Sequence, residues 1–100
     1  MAMRKDNNPT RLSPTEHKVL TMVAELGEAY GLQLFRRAAG ELKKGSVYML
    51  LGRLTRKGFV TVRRVPLPEG EIGPSRMAYR MTDAGATALK SWAAARAAWD

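Results

Sequence analysis

At Gly58 the spacing of apolar residues along the chain changes from the period of a helix to the period of a strand. Residues 59–65, just after it, are mainly β-branched, aromatic or basic and predict a strand. Before it, four apolar residues recur at intervals of three and four and therefore share one stripe of a helix: Val47, Leu50, Leu51 and Leu54. A short amphipathic helix must be followed at once by a strand.

We predict that this helix spans residues 46–57. Ser46 is a residue type favoured at the N-cap, where its hydroxyl accepts a hydrogen bond from a free backbone N–H. Gly58 suits the conformation in which many helices end. Arg56 and Lys57 place positive charge at the negative end of the helix dipole.

Two further helices are predicted ahead of this one. Residues 13–16 read Ser-Pro-Thr-Glu, a capping box with proline at the first helical position, and Gly27 ends the helix that follows. A second helix begins near Tyr30 and ends at Gly40. Because the linkers are short, the three helices must pack together.

The predicted strand is followed by a stretch rich in proline and glycine, residues 66–74, and then by a second alternating segment, Arg76 to Thr82. The two segments predict an antiparallel hairpin that must pack on the helices for stability. From Asp83 the chain is rich in alanine and predicted to be helical, with Thr82 as the cap. The predicted fold is α+β and mainly α: a winged helix-turn-helix of three helices, a two-stranded β-hairpin wing and a C-terminal helix.

The charge of the chain indicates a polyanionic partner. The sequence contains 17 lysines and arginines against 9 acids, for a formal net charge of +8. Residues 43–64 carry seven of these cations and no acid, so a basic helix is followed by a basic strand. Such a distribution favours nucleic acid as the partner.

The predicted DNA-binding surface is the face of the third helix opposite its apolar stripe. Arg53 and Arg56 are the predicted base readers, because arginine can pair bidentately with guanine. Met49 lies on the same face, and Ser46 and Tyr48 on its flanks are expected to bind phosphate near the helix N-terminus. The remaining cations of this region are expected to contact the DNA backbone: Lys43, Lys44, Lys57, Arg63, Arg64 and Arg76.

Gly52 lies inside the predicted third helix, where glycine costs about 1 kcal/mol relative to alanine. Two interpretations are open. The missing side chain admits a close approach of DNA, or the glycine is a tolerated neutral substitution.

The last helix carries a spacing typical of a packed seam. Gly85, Leu89, Trp92, Arg96 and Trp99 follow one another at intervals of four and three residues. So small a core cannot easily hide two tryptophans, so we predict a dimer interface formed by Leu89, Trp92 and Trp99. The alternative is that Trp92 closes its own core and Trp99 frays at the terminus.

Several classes of function lack the residues they need. The chain has no cysteine and one histidine, His17, so no zinc ligand set exists and no metal or other cofactor is expected. No nucleophile with an adjacent base can be assembled, so the protein is not expected to be an enzyme. No apolar run is long enough for a membrane span. Residues 1–11 lack the apolar core of an export signal and are interpreted as a flexible basic arm in a cytoplasmic, nucleoid-associated protein. The alternative, which the sequence favours more, is a disordered terminus with no role.

Four segments together resemble the PadR family of bacterial transcriptional regulators, in the short form that lacks a large C-terminal domain. Their order and spacing are more specific than any one of them, and the likeness spans most of residues 12–90. The segments are Leu12-Ser13-Pro14-Thr15-Glu16, Tyr30-Gly31-Leu32-Gln33-Leu34, Gly45-Ser46-Val47-Tyr48 with Leu51, Leu54 and Gly58, and Tyr79-Arg80-Met81-Thr82-Asp83-Ala84-Gly85.

Two features depart from the family pattern. Met49 stands where the family often has proline after the tyrosine, which affects the entry of the third helix. Glu69 and Glu71 lie at the tip of the hairpin and would repel phosphate, so the wing is expected to bind at its base.

The resemblance implies a homodimer that binds a pseudo-palindromic operator on double-stranded DNA and represses by occlusion. Residues 12–82 would form the DNA-binding domain and residues 83–100 the dimerisation helix. The family likeness also suggests a planar apolar small-molecule effector, with Trp92 as the candidate contact. The main alternative is a winged-helix interaction module for an acidic protein partner. RNA binding is less favoured, because the basic face offers only Tyr48 for stacking on bases.

Overall fold

A computed structural model describes residues 11–73 and 76–99, the last four of them through the backbone alone. The predicted N-terminal arm therefore lies almost entirely outside the described residues. Within them the chain is mainly helical, with a small antiparallel sheet. The elements in order are α1 (Pro14–Leu26), β1 (Glu28–Tyr30), α2 (Gly31–Arg37), α3 (Lys44–Arg56), β2 (Val60–Val65), β3 (Arg76–Met81) and α4 (Asp83–Trp99).

Helix α1 begins and ends as its sequence predicts. The Glu16 N–H donates to Ser13 Oγ at 3.1 Å, and the Ser13 N–H donates to Glu16 Oε1 at 2.8 Å, which completes the capping box. At the other end Gly27 has a φ of +79° and donates its N–H to the Val23 carbonyl at 3.0 Å. Both predicted boundaries are confirmed.

Helix α3 begins two residues earlier than predicted, and Ser46 is not its N-cap. The N-cap is Lys43, whose carbonyl accepts a hydrogen bond from the Val47 N–H at 3.0 Å, and no side chain caps the helix. The backbone therefore closes the first turn before Ser46 is reached. The predicted end is confirmed: Gly58 follows the last turn with a φ of +82°, a conformation that glycine adopts without strain.

The sheet contains the predicted hairpin and one strand that was not predicted. β2 and β3 pair from Val60 opposite Met81 to Val65 opposite Arg76. β1 adds to the free edge of β3, in the order β1-β3-β2, with Ala29 opposite Tyr79. A three-residue strand is too short to show an alternating pattern, so nothing in its own residues marks it as a strand.

Helix α3 occupies the centre of the fold. Its four apolar stripe residues are all buried, as predicted, and they meet side chains from α1, α2 and the start of β2. Leu89 and Trp92 of α4 are partly buried against this core, and Ala88 is buried in it. The first turn of α4 is anchored where α3 gives way to β2: the Thr82 hydroxyl donates to the Gly58 carbonyl at 2.6 Å and accepts the Gly85 N–H at 3.1 Å. No helix in the described parts of the chain is both long enough and apolar enough to span a membrane.

Candidate nucleic-acid interface

Helix α3 exposes one long face, and the predicted base-reading residues lie on it. Met49, Arg53 and Arg56 follow one another at intervals of four and three residues, which keeps them on a single stripe. All three side chains are exposed, Met49 to 52%. In the part of the chain that the structure describes, no acid forms an ion pair with Arg53 or Arg56. The face is therefore available to an anionic partner.

Tyr48 lies on the flank of this face in a notch left by Gly31. A methyl group at position 31 would overlap the Tyr48 ring, coming within 2.7 Å of Cζ and 2.8 Å of the hydroxyl oxygen. The ring is 43% exposed, so it is positioned by α2 without being buried. The absence of a side chain at Gly31 therefore decides where the Tyr48 hydroxyl lies.

A groove of about 780 Å³ runs beside Tyr48, between the start of α2 and the first residues of β3. Arg36 and Arg76 contribute a cation each to its walls. The Arg76 guanidinium lies 5.5 Å from the centroid of the Tyr30 ring, within the range of a cation–π contact. The lining residues are Tyr30, Gly31, Leu32, Gln33, Arg36, Tyr48, Arg76 and Met77.

Arg36 did not stand out in the sequence, because it lies outside the acid-free segment of residues 43–64. The one sequence feature that could have identified Arg36 is its position about one and a half helical turns after the Tyr-Gly segment at the start of α2. The fold brings it to the same groove as Tyr48 and Arg76. The groove therefore connects the exposed face of α3 with the wing.

Lys57, which is predicted to contact phosphate, is hydrogen-bonded to other residues of the protein. Its ammonium donates to Glu16 Oε1 at 2.8 Å and to the Arg11 carbonyl at 2.8 Å. The side chains of Lys57 and Glu16 are only 13% and 2% exposed. A buried carboxylate needs a counter-charge, so Lys57 neutralises Glu16 and its ammonium is less available to phosphate than an unpaired lysine.

Arg63 is also engaged with an acid of the same chain. Its Nε and Nη2 donate to the two oxygens of Glu28 at 2.8 and 2.9 Å. These hydrogen bonds hold the pKa of the Glu28 carboxyl below its ordinary value of 4.5 and raise the pKa of the Arg63 guanidinium. Arg80, directly opposite Glu28 in the sheet, lowers the pKa of Glu28 further through its charge. The positive charge of Arg63 is thus largely offset within the protein.

Arg64 lies on the other face of the sheet, because successive residues of a strand point to opposite sides. It is paired with Met77, which lines the groove. No ion pair of Arg64 occurs among the described residues. Of the two adjacent wing arginines, Arg64 is therefore the one whose charge is uncompensated.

The C-terminal helix brings Trp92 against α1. The rings of Trp92 and His17 are stacked, with centroids 4.6 Å apart and an angle of 16° between their planes. Trp92 is only partly exposed, so its own chain covers much of the ring. The side chain of Trp99, which was assigned to the same interface, lies outside the described residues.

The described residues contain no group of three or more histidine, cysteine, aspartate or glutamate side chains able to hold a metal ion. Every side-chain ion pair described above joins secondary-structure elements and is used in the fold.

The model of the transcriptional regulator PadR-like family matches residues 19–91. Solved structures also resemble this fold. A PadR-like transcription factor from Bacteroides fragilis is 20% identical over 85% of this chain and 82% of that chain, with a TM-score of 0.74. Bacillus subtilis PadR, in complex with operator DNA, is 24% identical over 79% of this chain and 46% of that chain, with a TM-score of 0.68.

A mutant MarR from Escherichia coli, complexed with operator DNA, is 22% identical over 83% of this chain and 54% of that chain, with a TM-score of 0.63. The chain thus spans about half the length of the Bacillus subtilis and Escherichia coli proteins. At these identities the likeness shows the winged-helix fold. A search of curated proteins found no match.

Proposed function

Because the chain belongs to the PadR-like family of transcriptional regulators, we propose that it is a sequence-specific DNA-binding regulator. In this proposal it acts as a homodimer on a pseudo-palindromic operator and represses transcription by occluding the promoter. The observation that carries the proposal is the exposed face of α3. Arg53 and Arg56 stand there without an acidic partner among the described residues, while the opposite face of the same helix is core.

In the proposed complex α3 enters the major groove and the DNA backbone crosses the groove between α2 and the wing. Arg36 and Arg76 at the walls of that groove, with the Tyr48 hydroxyl, are suited to phosphate. The proposal leaves Arg63 and Lys57 out of the DNA contacts, because acids of the same chain already engage them. The proposed contacts are Arg36, Lys43, Lys44, Ser46, Tyr48, Met49, Arg53, Arg56, Arg64 and Arg76.

The homodimer is proposed to form through α4, with residues 12–82 as the DNA-binding domain. The two recognition helices of such a dimer must lie about 34 Å apart, one turn of B-DNA. Among the α4 residues whose burial is described, 83–95, only Gly85 and Ala88 are fully buried, so much of this part of the helix is exposed in the single chain. A planar apolar effector is proposed to bind beside Trp92, on the ring face that His17 does not cover.

The experiment that tests this function is selection from a random duplex library by the purified protein. We expect an enriched inverted repeat, bound at least roughly a thousandfold more tightly than scrambled DNA of the same length and composition. Binding is compared at about 50 and 200 mM salt, because phosphate contacts steepen the salt dependence of affinity. If no sequence is enriched and binding disappears as the salt concentration rises, the protein binds DNA only through non-specific charge attraction. That result would favour an acidic protein partner.

A further inference from the structure

Met49 is an exposed apolar side chain in the middle of a basic surface. It is 52% exposed, and its neighbours on the same helical stripe are Arg53 and Arg56. No core residue of the fold depends on it, since the apolar stripe of α3 lies on the opposite side. Single exposed apolar residues are common on protein surfaces, but Met49 stands out because it shares its stripe with the predicted base readers.

Two glycines lie next to Met49 on the exposed side of α3, at Gly45 and Gly52. A Cβ atom at position 45 would meet nothing within 4 Å, and at position 52 only Arg56 Nη1, at 3.9 Å. Neither glycine is therefore required by packing inside the protein, although glycine within a helix destabilises it relative to alanine. The two missing side chains lower the surface beside Met49 and leave its thioether as the projecting group.

The position of Met49 along α3 also matters. In helix-turn-helix proteins the N-terminal residues of the recognition helix contact the edges of the bases. Met49 is in the first half of the 13-residue helix, whereas Arg53 and Arg56 are in the second half. The exposed stripe of the N-terminal half of α3 contains Gly45 and Met49. Because Gly45 has no side chain, Met49 is the residue of this stripe that is long enough to touch a base.

We propose that Met49 contacts the C5 methyl group of a thymine in each operator half-site, and that Gly45 and Gly52 allow the close approach this contact needs. The thymine methyl is the apolar group that base pairs present in the major groove. Methionine is unbranched and polarizable and adapts to irregular apolar surfaces. The inference rests on the proposed function, and it names a sequence preference of the same site.

The test uses the operator duplex enriched by the selection described above. Each thymine is replaced in turn, in both half-sites, by deoxyuridine, which removes only the C5 methyl. Affinity is measured for the wild type, for Met49→Ala and for a control, Ile72→Ala, an exposed apolar side chain in the turn of the wing and outside the groove. At one thymine position we expect deoxyuridine to weaken wild-type binding by roughly fourfold per half-site. The Ile72→Ala protein should show the same loss, whereas Met49→Ala should bind the two duplexes equally.

The outcomes separate the two proposals. If no sequence is enriched, the proposed function fails, and the thymine contact fails with it. If an inverted repeat is enriched but lacks thymine, or is indifferent to deoxyuridine at every position, the function stands and the thymine contact is overturned. The same holds if Met49→Ala keeps the full deoxyuridine effect. Met49→Leu, which keeps an apolar side chain, should retain the preference for thymine.

Discussion

Lys57 Nζ lies 2.8 Å from Glu16 Oε1, and this contact joins the C-terminal end of α3 to the first turn of α1. Glu16 also accepts the Ser13 N–H, so one carboxylate both caps α1 and holds the end of the proposed recognition helix. Among the described residues no buried side-chain polar atom lacks a hydrogen-bond partner. The pair therefore sets the position of α3 from its end, away from the exposed face.

Replacing Lys57 by methionine should destabilise the protein by about 3–5 kcal/mol, because it leaves the Glu16 carboxylate buried without a counter-charge. The free energy of unfolding, from urea denaturation, measures this change. The double variant Lys57→Met with Glu16→Gln should recover a large part of the loss. The slope of log affinity against log salt should stay unchanged in any variant that folds. A decrease of about 0.9 per protomer would instead place Lys57 on a phosphate.

Replacing Glu28 by glutamine should increase the affinity for DNA of any sequence, since it frees the charge of Arg63. The salt dependence should become steeper by as much as about 0.9 per protomer. Glu25→Gln is the matched control, because it removes an acid that is paired with Arg37 on the helices. An unchanged salt slope in Glu28→Gln would show that Arg63 stays away from DNA even when unpaired.

The same pair predicts a pH dependence of stability. The pKa of Glu28 in the folded protein is held below its ordinary value of 4.5, mainly by hydrogen bonds from Arg63. A depressed carboxyl pKa contributes stability that is present above the ordinary pKa and is lost as the pH falls through the lowered value. The melting temperature of the wild type should therefore fall more than that of Glu28→Gln between neutral pH and the acidic range below 4.5. Parallel curves for the two proteins would contradict this.

Arg53 and Arg64 should differ in what their removal does to binding. Arg53→Ala should weaken the enriched operator by about 1–3 kcal/mol per half-site and random DNA much less, because a base contact is lost. Arg64→Ala should weaken both DNAs alike and reduce the salt slope by about 0.9 per protomer. Titrations of both variants against operator and scrambled duplexes decide the matter. Equal losses on the two DNAs for Arg53→Ala would remove it from the base-reading residues.

Gly31→Ala should act through Tyr48. The added methyl group would overlap the ring, which is half exposed and can move, so the fold should persist while the hydroxyl leaves the groove. We expect a loss of about 1–3 kcal/mol in DNA binding, similar to that of Tyr48→Ala. The double variant should lose no more than either single one. Additive losses would mean that Gly31 and Tyr48 act separately.

The proposed dimer predicts that Trp99→Glu shifts the protein toward monomer in sedimentation equilibrium. Loss of a central aromatic contact weakens an interface by about 2 kcal/mol or more, roughly thirtyfold in the dissociation constant. Thr87→Glu, on the exposed side of α4 away from Leu89 and Trp92, is the control and should stay dimeric. Trp92 itself is a poor choice, because it stacks on His17 and its loss would also disturb the fold. A dimeric Trp99→Glu protein would place the interface elsewhere.

Much of the fold could be predicted because its signals are local. Each signal lies within a short stretch of sequence. They are the capping box at Ser13, the apolar stripe of α3 and the change of period at Gly58, and the structure contains all three. Ser46 was wrongly placed at the N-cap, because two residues with no strong preference for that position, Lys43 and Lys44, began the helix first.

The distribution of charge was harder to predict, since ion pairs join residues far apart in the sequence. Lys57 is separated from Glu16 by 41 positions, and Arg63 from Glu28 by 35. Nothing in the residues around either cation shows that its partner will be brought to it. The sequence therefore predicts both as contacts of the DNA backbone. It does not predict β1, which carries Glu28, because three residues show no period.

The hydrogen bonds at Thr82 connect α4, through which the proposed dimer forms, with α3, which is proposed to read the bases. Three hydrogen bonds of this residue tie the start of α4 to Gly58, Phe59 and Gly85, at the point where α3 gives way to the wing. Because of these hydrogen bonds, a tilt of α4 would change the orientation of α3. Substitutions along α4 would then change the spacing of the two recognition helices together with their orientation, whereas substitutions on the exposed stripe of α3 would change base preference alone. A regulator of this kind could acquire a new target gene through substitutions on that stripe, with the core of the fold unchanged.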